Sequence, residues 1–245
     1  MGQMSADPNT AVDEIAPDIY RISTWIPDIT ENGFTFNQFL LTGDEPFLFH
    51  CGQRQLFPLV SDAISQVIPL PKLRWISFGH LEADECGAMN LLLVAAPHAE
   101  VIHGGLALML SLVDMCDRPP VAAPDDALDI GGHQLRFIAT PHVPHNWEAG
   151  LWFDETTSTL LAGDLLTHTG QCPALTESDC VAAALEAESI FHATGLTTNL
   201  SPTLEQLAAL NPSTLALMHG SSYAGDGAAQ LRSLAEGYAA MAGAA

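Results

Sequence analysis

The chain has 245 residues, 48% of them hydrophobic, which is enough for a full core and too apolar for disorder. Its 29 acidic residues stand against 7 basic ones, a net charge of -22, and Lys72 is the only lysine. That balance excludes the basic footprint of a nucleic-acid binder and the polybasic face that holds an anionic membrane surface.

Met1 to Ala11 is polar, with neither a basic n-region nor an apolar h-region, so a cytoplasmic protein is expected. Ile15 to Ile26 reads as a strand, and Phe34 to Leu41 as a second. A tight turn at Gly43-Asp44-Glu45 leads to a third strand at Phe47-Leu48-Phe49. Leu56 to Ile68 has helical periodicity and is closed by Pro69 and Pro71. A buried strand over Lys72–Phe78 then runs into Gly79-His80-Leu81-Glu82-Ala83-Asp84-Glu85-Cys86-Gly87, and a helix over Ala88–Ala96 follows. Glu100-Val101-Ile102 is a short strand and Leu106 to Val113 a helix.

Pro119, Pro120 and Pro124 mark a connector, beyond which the pattern changes to hairpins. Leu128–Ile130 and Gln134–Ile138 flank Gly131-Gly132, a tight-turn signal. Leu151–Phe153 and Thr159–Ala162 pair around Thr156-Thr157-Ser158. A helix is expected from Glu177 to His192 with Thr176 as cap, and another from a Ser201 cap with Pro202 in its first turn. Thr214 to Met218 is the last strand and Ala228 to Met241 the last helix. Strands followed by helix–strand pairs thus occur twice, which predicts an α/β fold of two facing mixed sheets with helices outside, as one domain over 1–245. Cys51, Cys86, Cys116, Cys172 and Cys180 are scattered and form no Cys-x-x-Cys pair, so neither a disulfide scaffold nor a structural zinc site is expected. No apolar run approaches the ~18 residues of a membrane span.

The chemistry concentrates after the fourth strand. An imidazole and three carboxylates, His80, Glu82, Asp84 and Glu85, fall within one short stretch. In an extended segment alternate residues point one way, which would align His80, Glu82 and Asp84. Groups so close resist burial unless a cation neutralises them. Three later strands end the same way: one runs into the loop Pro141–Trp147 with His142 and His145, one into Asp164, and one into His219. Ligands collect beyond the carboxyl ends of strands in α/β sheets, so this recurrence points to a metal centre. Its carboxylate-rich donor set suits iron or manganese better than zinc. His50, His98, His103, His133 and His192 lack clustered carboxylates and read as structural or exposed. His168 reads as a surface-loop residue before one lining the mouth of the site, Cys86 as a small buried thiol before one that modulates a metal, and Trp147 and Phe153 as either pocket roof or core.

Asp18-Ile19-Tyr20-Arg21-Ile22, Phe36–Leu41, His80-x-Glu82-x-Asp84, Thr140-Pro141 with His145, Gly163-Asp164 and Met218-His219-Gly220 fall in the order of the metallo-β-lactamase superfamily. Zinc hydrolases of that superfamily carry His-x-His-x-Asp-His. Glu82 in the second position resembles the flavodiiron and oxygen-binding diiron branch instead. The resemblance covers nearly the whole chain and implies a four-layer αββα sandwich. It implies two iron ions, one held by His80, Glu82 and His145, the other by Asp84 and His219, with Asp164 bridging. His145 is preferred to His142 because its separation from Asp164 fits the diiron pattern, and His142 is then expected to support the ligands or line the pocket. Two departures stand out: Glu85 replaces the motif's final His, and His50-Cys51-Gly52 stands where a small acid is common. Glu85 is therefore expected on the second metal or as a hydrogen-bond acceptor around it, and in either role its loss is expected to weaken the second metal more than the first.

The function so implied is a non-heme diiron protein that binds or reduces O2 or NO, with no catalytic residue beyond the metal ligands. Full-length flavodiiron enzymes also carry a flavodoxin-like domain. No phosphate-cradling loop of that kind is read here, and Gly225-Asp226-Gly227 reads as a connector, so no FMN is expected in this chain and electrons would come from a separate redox protein. A sensor read by a separate signalling protein belongs to the same class, and a homodimer is compatible with it. The competing class is a dimetal hydrolase of an ester, thioester or phosphodiester with a bridging hydroxide as nucleophile. It lacks the second motif His and has few cations to hold an anionic substrate.

Overall fold

The computed structural model describes residues 9–244, so most of the polar stretch read from Met1 to Ala11 lies outside the described residues. Strands β1 (Thr10–Ala16), β2 (Ile19–Ile26), β3 (Phe34–Leu41), β4 (Phe47–Phe49), β5 (Trp75–Ser77), β6 (Glu100–His103) and β7 (Val121–Ala122) lie in sequence order across one sheet. The first four pair antiparallel and the rest parallel. Short reversals join β1 to β4, and parallel pairing begins where a helix intervenes, as a parallel crossover requires. Those helices are α1 (Phe57–Val67), then α2 (Ala83–Cys86) and α3 (Met89–Ala95), then α4 (Gly105–Ala107) continuing through a wide turn into α5 (Val113–Met115).

The second sheet holds β8 (Leu128–Asp129), β9 (Gln134–Ala139), β10 (Gly150–Asp154), β11 (Thr159–Gly163), β12 (Leu175–Thr176), β13 (Thr214–Leu217) and β14 (Ser222–Ala224), in the order β12-β14-β13-β11-β10-β9-β8. Helices α6 (Val181–Phe191) and α7 (Leu200–Ala208) separate β11 from its parallel partner β13, and α8 (Gly227–Ala244) closes the chain. The alternation of β3 to β5 explains the layers. Phe39, Leu41, Phe47, Phe49 and Trp75 pack in the cluster shared with the second sheet. Their neighbours Leu40, Leu48 and Ile76 pack with Val60, Ile64 and Leu92 of α1 and α3. The result is the four-layer αββα sandwich.

Some expected boundaries shift. The strand read from Ile15 to Ile26 is two strands, because Pro17 offers no N–H and Asp18 takes a positive φ of 59°, reversing the chain into β1. The helix expected from Glu177 starts at Val181, whose N–H donates to Asp179 Oδ1. Thr176 belongs to β12 instead and accepts a hydrogen bond from Ser178 N. Ser201 is inside α7, which begins one residue earlier, so it is no cap.

Polar ties join the sheets at the end that carries the site. Trp152 Nε1 donates to Ser77 Oγ at 2.9 Å, and Gly150 N donates to Gly79 O at 2.8 Å. Across the other side, Asn37 Nδ2 donates to the carbonyls of Leu217 and Gly220 at 2.8 and 2.9 Å. Arg21 Nη2 reaches the same Gly220 carbonyl at 3.0 Å.

The β10–β11 hairpin depends on Asp154, which is fully buried. Its carboxylate accepts from His133 Nδ1 at 2.8 Å, Thr157 Oγ1 at 2.6 Å and the backbone N–H groups of Thr156 and Thr157. Burial raises its pKa, but these donors outweigh burial and hold it below the usual Asp range. Asp154→Ala strands those donors and should cost about 3 kcal/mol, read as a lower urea midpoint. An unchanged midpoint would show the hairpin to be held by its apolar contacts alone.

Candidate metal centre

Each ligand-type side chain lies just beyond the carboxyl end of a strand. β5 delivers His80, β9 the loop with His145, β11 Asp164 and β13 His219. The stretch from Gly79 to Glu82 is not the extended ladder that alternation predicts. It bends, with Glu82 N donating to His80 O at 3.0 Å, and Asp84 already lies in α2. Glu148 Oε1 accepts from Leu81 N at 3.1 Å and ties the β9–β10 loop to this bend. Within the loop, Val143 N donates to Thr140 O and His142 N to Asn146 O, while His142 and Asn146 take positive φ. His145 is thereby turned inward, and His142 is left exposed at the surface.

His80, Glu82, His145 and Asp164 bring one ligand atom each to within 4.8 Å of one another. His80 Nε2 and His145 Nε2 lie 2.9 and 3.1 Å from Glu82 Oε2. They lie 3.8 and 3.9 Å from Asp164 Oδ2. The other oxygen of Asp164 faces a second group: His219 Nε2 is 3.3 Å from Asp164 Oδ1 and 3.5 Å from Asp84 Oδ2. Asp164 thus looks toward both groups, which suits a bridging carboxylate. Glu85 joins neither. It is 1% exposed and directed into the interior, against the main chain and ring of His80.

His80 and His219 are the imidazoles whose pKa values this cluster raises. Burial lowers the His80 pKa, but the carboxylates of Glu85, Glu82 and Asp164 lift it to about 11. Burial likewise opposes His219, and Asp164 and Asp84 raise it to about 10. Glu82, hydrogen-bonded by His145 and His80, is held well below the ordinary carboxylate range. Protons on the rings therefore balance the acids, and a metal would displace them. The donor set fits such an ion: two oxygens with two imidazoles on one side, two oxygens with one imidazole on the other, and a buried Asp164 Oδ1 with no hydrogen-bond partner among the described residues.

Supporting contacts hold His219 firmly. Its Nδ1–H donates to Thr35 O at 2.7 Å, its ring stacks on Phe34 at 4.3 Å, and Phe36 meets it edge-on. His168 is not the surface-loop residue expected. It is buried, donates from Nδ1 to Leu166 O and accepts from Ser221 N at Nε2. A Cβ at Gly220 would lie 2.3 Å from that ring, so glycine there lets His168 buttress the turn after His219. Cys86 is a buried thiol that burial pushes up to about 12. His50, His103 and His133 are buried, whereas His98 and His192 are exposed. Phe153 is core, and Trp147 is 54% exposed and does not roof the site.

A cavity of about 290 Å³ opens over the two ligand groups. Phe34, Pro144, Ala184, Ala187 and Phe191 line its apolar wall, and Glu188, Thr194 and Tyr238 line its polar part. Thr194 Oγ1 lies 2.7 Å from Glu188 Oε2 and 3.2 Å from Tyr238 Oη. Sequence reading missed these three, because Glu188 in a helix and Tyr238 far along the chain carry no spacing signal.

A family model described as ODP family beta lactamase matches residues 34–220, the span that carries every ligand-type residue above. The chain belongs to this family. Among curated relatives, diflavin flavoprotein A 1 of Thermosynechococcus vestitus is 31% identical over 139 residues, covering 55% of this chain and 24% of its own length. Diflavin flavoprotein A 3 of a Nostoc species is 28% identical over 139 residues, with the same coverage. The chain thus spans about a quarter of the length of these relatives. The flavodiiron core of Flv1 from a Synechocystis species superposes with a TM-score of 0.81 at 22% identity, over 95% of this chain and 61% of that one. Rubredoxin oxygen:oxidoreductase from Desulfovibrio gigas does so with 0.77 at 16% identity, over 95% and 62%. These likenesses show the metallo-β-lactamase fold of the flavodiiron proteins. Among the described residues no helix is long and apolar enough to cross a membrane.

Proposed function

We propose that this chain is a non-heme diiron protein that binds O2, or NO in its place, and reduces it with electrons from a separate redox protein. In this reading residues 1–245 form a single metallo-β-lactamase-like domain. The observation that carries it is Glu82: where a zinc hydrolase of this fold places an imidazole, Glu82 Oε2 sits between His80 and His145 at 2.9 and 3.1 Å. That exchange makes the donor set hard and anionic, which favours iron. His80, Glu82 and His145 would hold one ion, Asp84 and His219 the other, and Asp164 both. The oxygen:oxidoreductase named among the structural relatives supports O2 as the ligand.

When bound, two iron ions would supply two electrons and a place for a diatomic ligand. The chain's own residues do the rest. Phe34, Pro144 and Phe191 make the approach to the ligand groups apolar, and His219 is locked by Thr35 and Phe34 so that only its Nε2 faces them. Two electrons and two protons take O2 to hydrogen peroxide, whereas water requires four of each. The chemically reduced protein should therefore react with O2 once and stop, and NADH alone should not sustain O2 uptake. Protein from cells supplied with both metals should hold about two iron ions per chain. Stoichiometric zinc without iron, or inertness of the reduced iron form toward O2, would sink the diiron reading in favour of the hydrolase. Steady uptake driven by NADH alone would remove the separate redox partner.

A further inference from the structure

We propose that Glu85 is the positioning residue of the first metal and not a ligand of the second. The inference rests on the metal centre described above. Asp84 and Glu85 are consecutive in α2, and consecutive side chains on a helix diverge by roughly 100°. Asp84 takes the cavity side, 3.5 Å from His219 Nε2. Glu85 consequently turns inward, where it is 1% exposed.

There its carboxylate meets His80 through one hydrogen bond and one ion-pair contact. Oε2 accepts from the His80 backbone N–H at 2.6 Å, and Oε1 lies 3.2 Å from His80 Nδ1. The contact depends on Gly79, because a Cβ there would sit 3.1 Å from both carboxylate oxygens. With Nδ1 facing Glu85 Oε1, Nε2 is the ring atom that faces Glu82 and Asp164. His219 repeats the arrangement with a neutral partner, the Thr35 carbonyl on its Nδ1. A carboxylate at the outer nitrogen makes the ring a stronger metal donor than a carbonyl does. Burying this carboxylate is costly, and the His80 donors together with His50 Nδ1 at 3.6 Å offset that cost.

Two consequences separate a clamp from a ligand. The second group keeps three protein donors, Asp84, Asp164 and His219, against four in the first, so the first should fill first. Loss of Glu85 should also weaken the first ion, the reverse of what the motif's missing His suggests.

The test is zinc titration of the chelator-stripped full chain, with Glu85→Ala and the near-isosteric Glu85→Gln beside the wild type. The first equivalent should bind ~10–100-fold more weakly in Glu85→Ala, with Glu85→Gln between it and the wild type and the second equivalent moved less. In the zinc-loaded protein, NMR should find a slowly exchanging His80 Nδ1–H that Glu85→Ala abolishes. Weakening of the second equivalent alone would make Glu85 a ligand, and no change in either equivalent would make it a bystander. If Glu85→Ala does not fold, Glu85→Gln carries the same comparison. Wild type that takes up no zinc would overturn the metal centre itself, a failure distinct from that of the clamp.

Discussion

Asp164→Ala should empty the protein of metal, from about two ions per chain to essentially none, while leaving the fold intact. The expectation comes from how its two oxygens divide. Oδ2 faces His80 and His145, and Oδ1 faces His219 at 3.3 Å. Its loss leaves the second group only Asp84 and His219, too few donors for a stable site, and removes one of the two anionic donors of the first. Glu82→Ala should be milder, because Glu82 touches only the His80 and His145 side. Asp164→Ala should also cost the metal-free fold some stability, because Asp164 helps hold the protons on His80 and His219, but Asp164 is partly exposed and the chain should still fold. Metal analysis and circular dichroism on the same preparation settle the matter. Asp164→Ala protein that still holds both ions would show that the two groups bind independently.

Much of this centre is legible before any coordinates. A buried strand ending in His or Asp is a local pattern, and four such endings converge because strand ends of an αββα sandwich meet along one edge. What is illegible depends on direction rather than position. Glu85 follows Asp84 in a helix of a single turn, so its side chain points away from the site, and no spacing rule announces where that turn begins. His142 and His145 share one loop and one chemistry. They differ because hydrogen bonds across that loop leave His142 outside. His168 reads as a surface residue by its loop, and the space left by Gly220 is what takes it inside. The short edge strands β7 and β12, and β14 between β12 and β13, have too few residues for alternation to register.

Acid should unfold this protein partly through one histidine that belongs to no ligand group. His103, at the end of β6, is fully buried between Phe78 and Phe137. Its Nδ1 accepts from Gly104 N at 2.7 Å, and its Nε2 has no hydrogen-bond partner among the described residues. Burial is the largest influence on it and pushes its pKa down from 6.5 to about 4. The folded chain thus resists a proton that the unfolded chain accepts, so stability rises with pH across that window. Falling pH should remove stability from about pH 6.5 down to about 4, where the folded form also protonates and the loss stops. The shift amounts to about 3 kcal/mol at the bottom of the window. His103→Gln keeps a polar acceptor for Gly104 and cannot titrate. Urea midpoints of the two proteins, held in the same metal state, should therefore diverge as pH falls from 6.5 to 4, with the wild type losing more. Parallel curves would show that His103 is not the acid-sensitive group and that others, such as buried His168 and the carboxylates, carry the dependence.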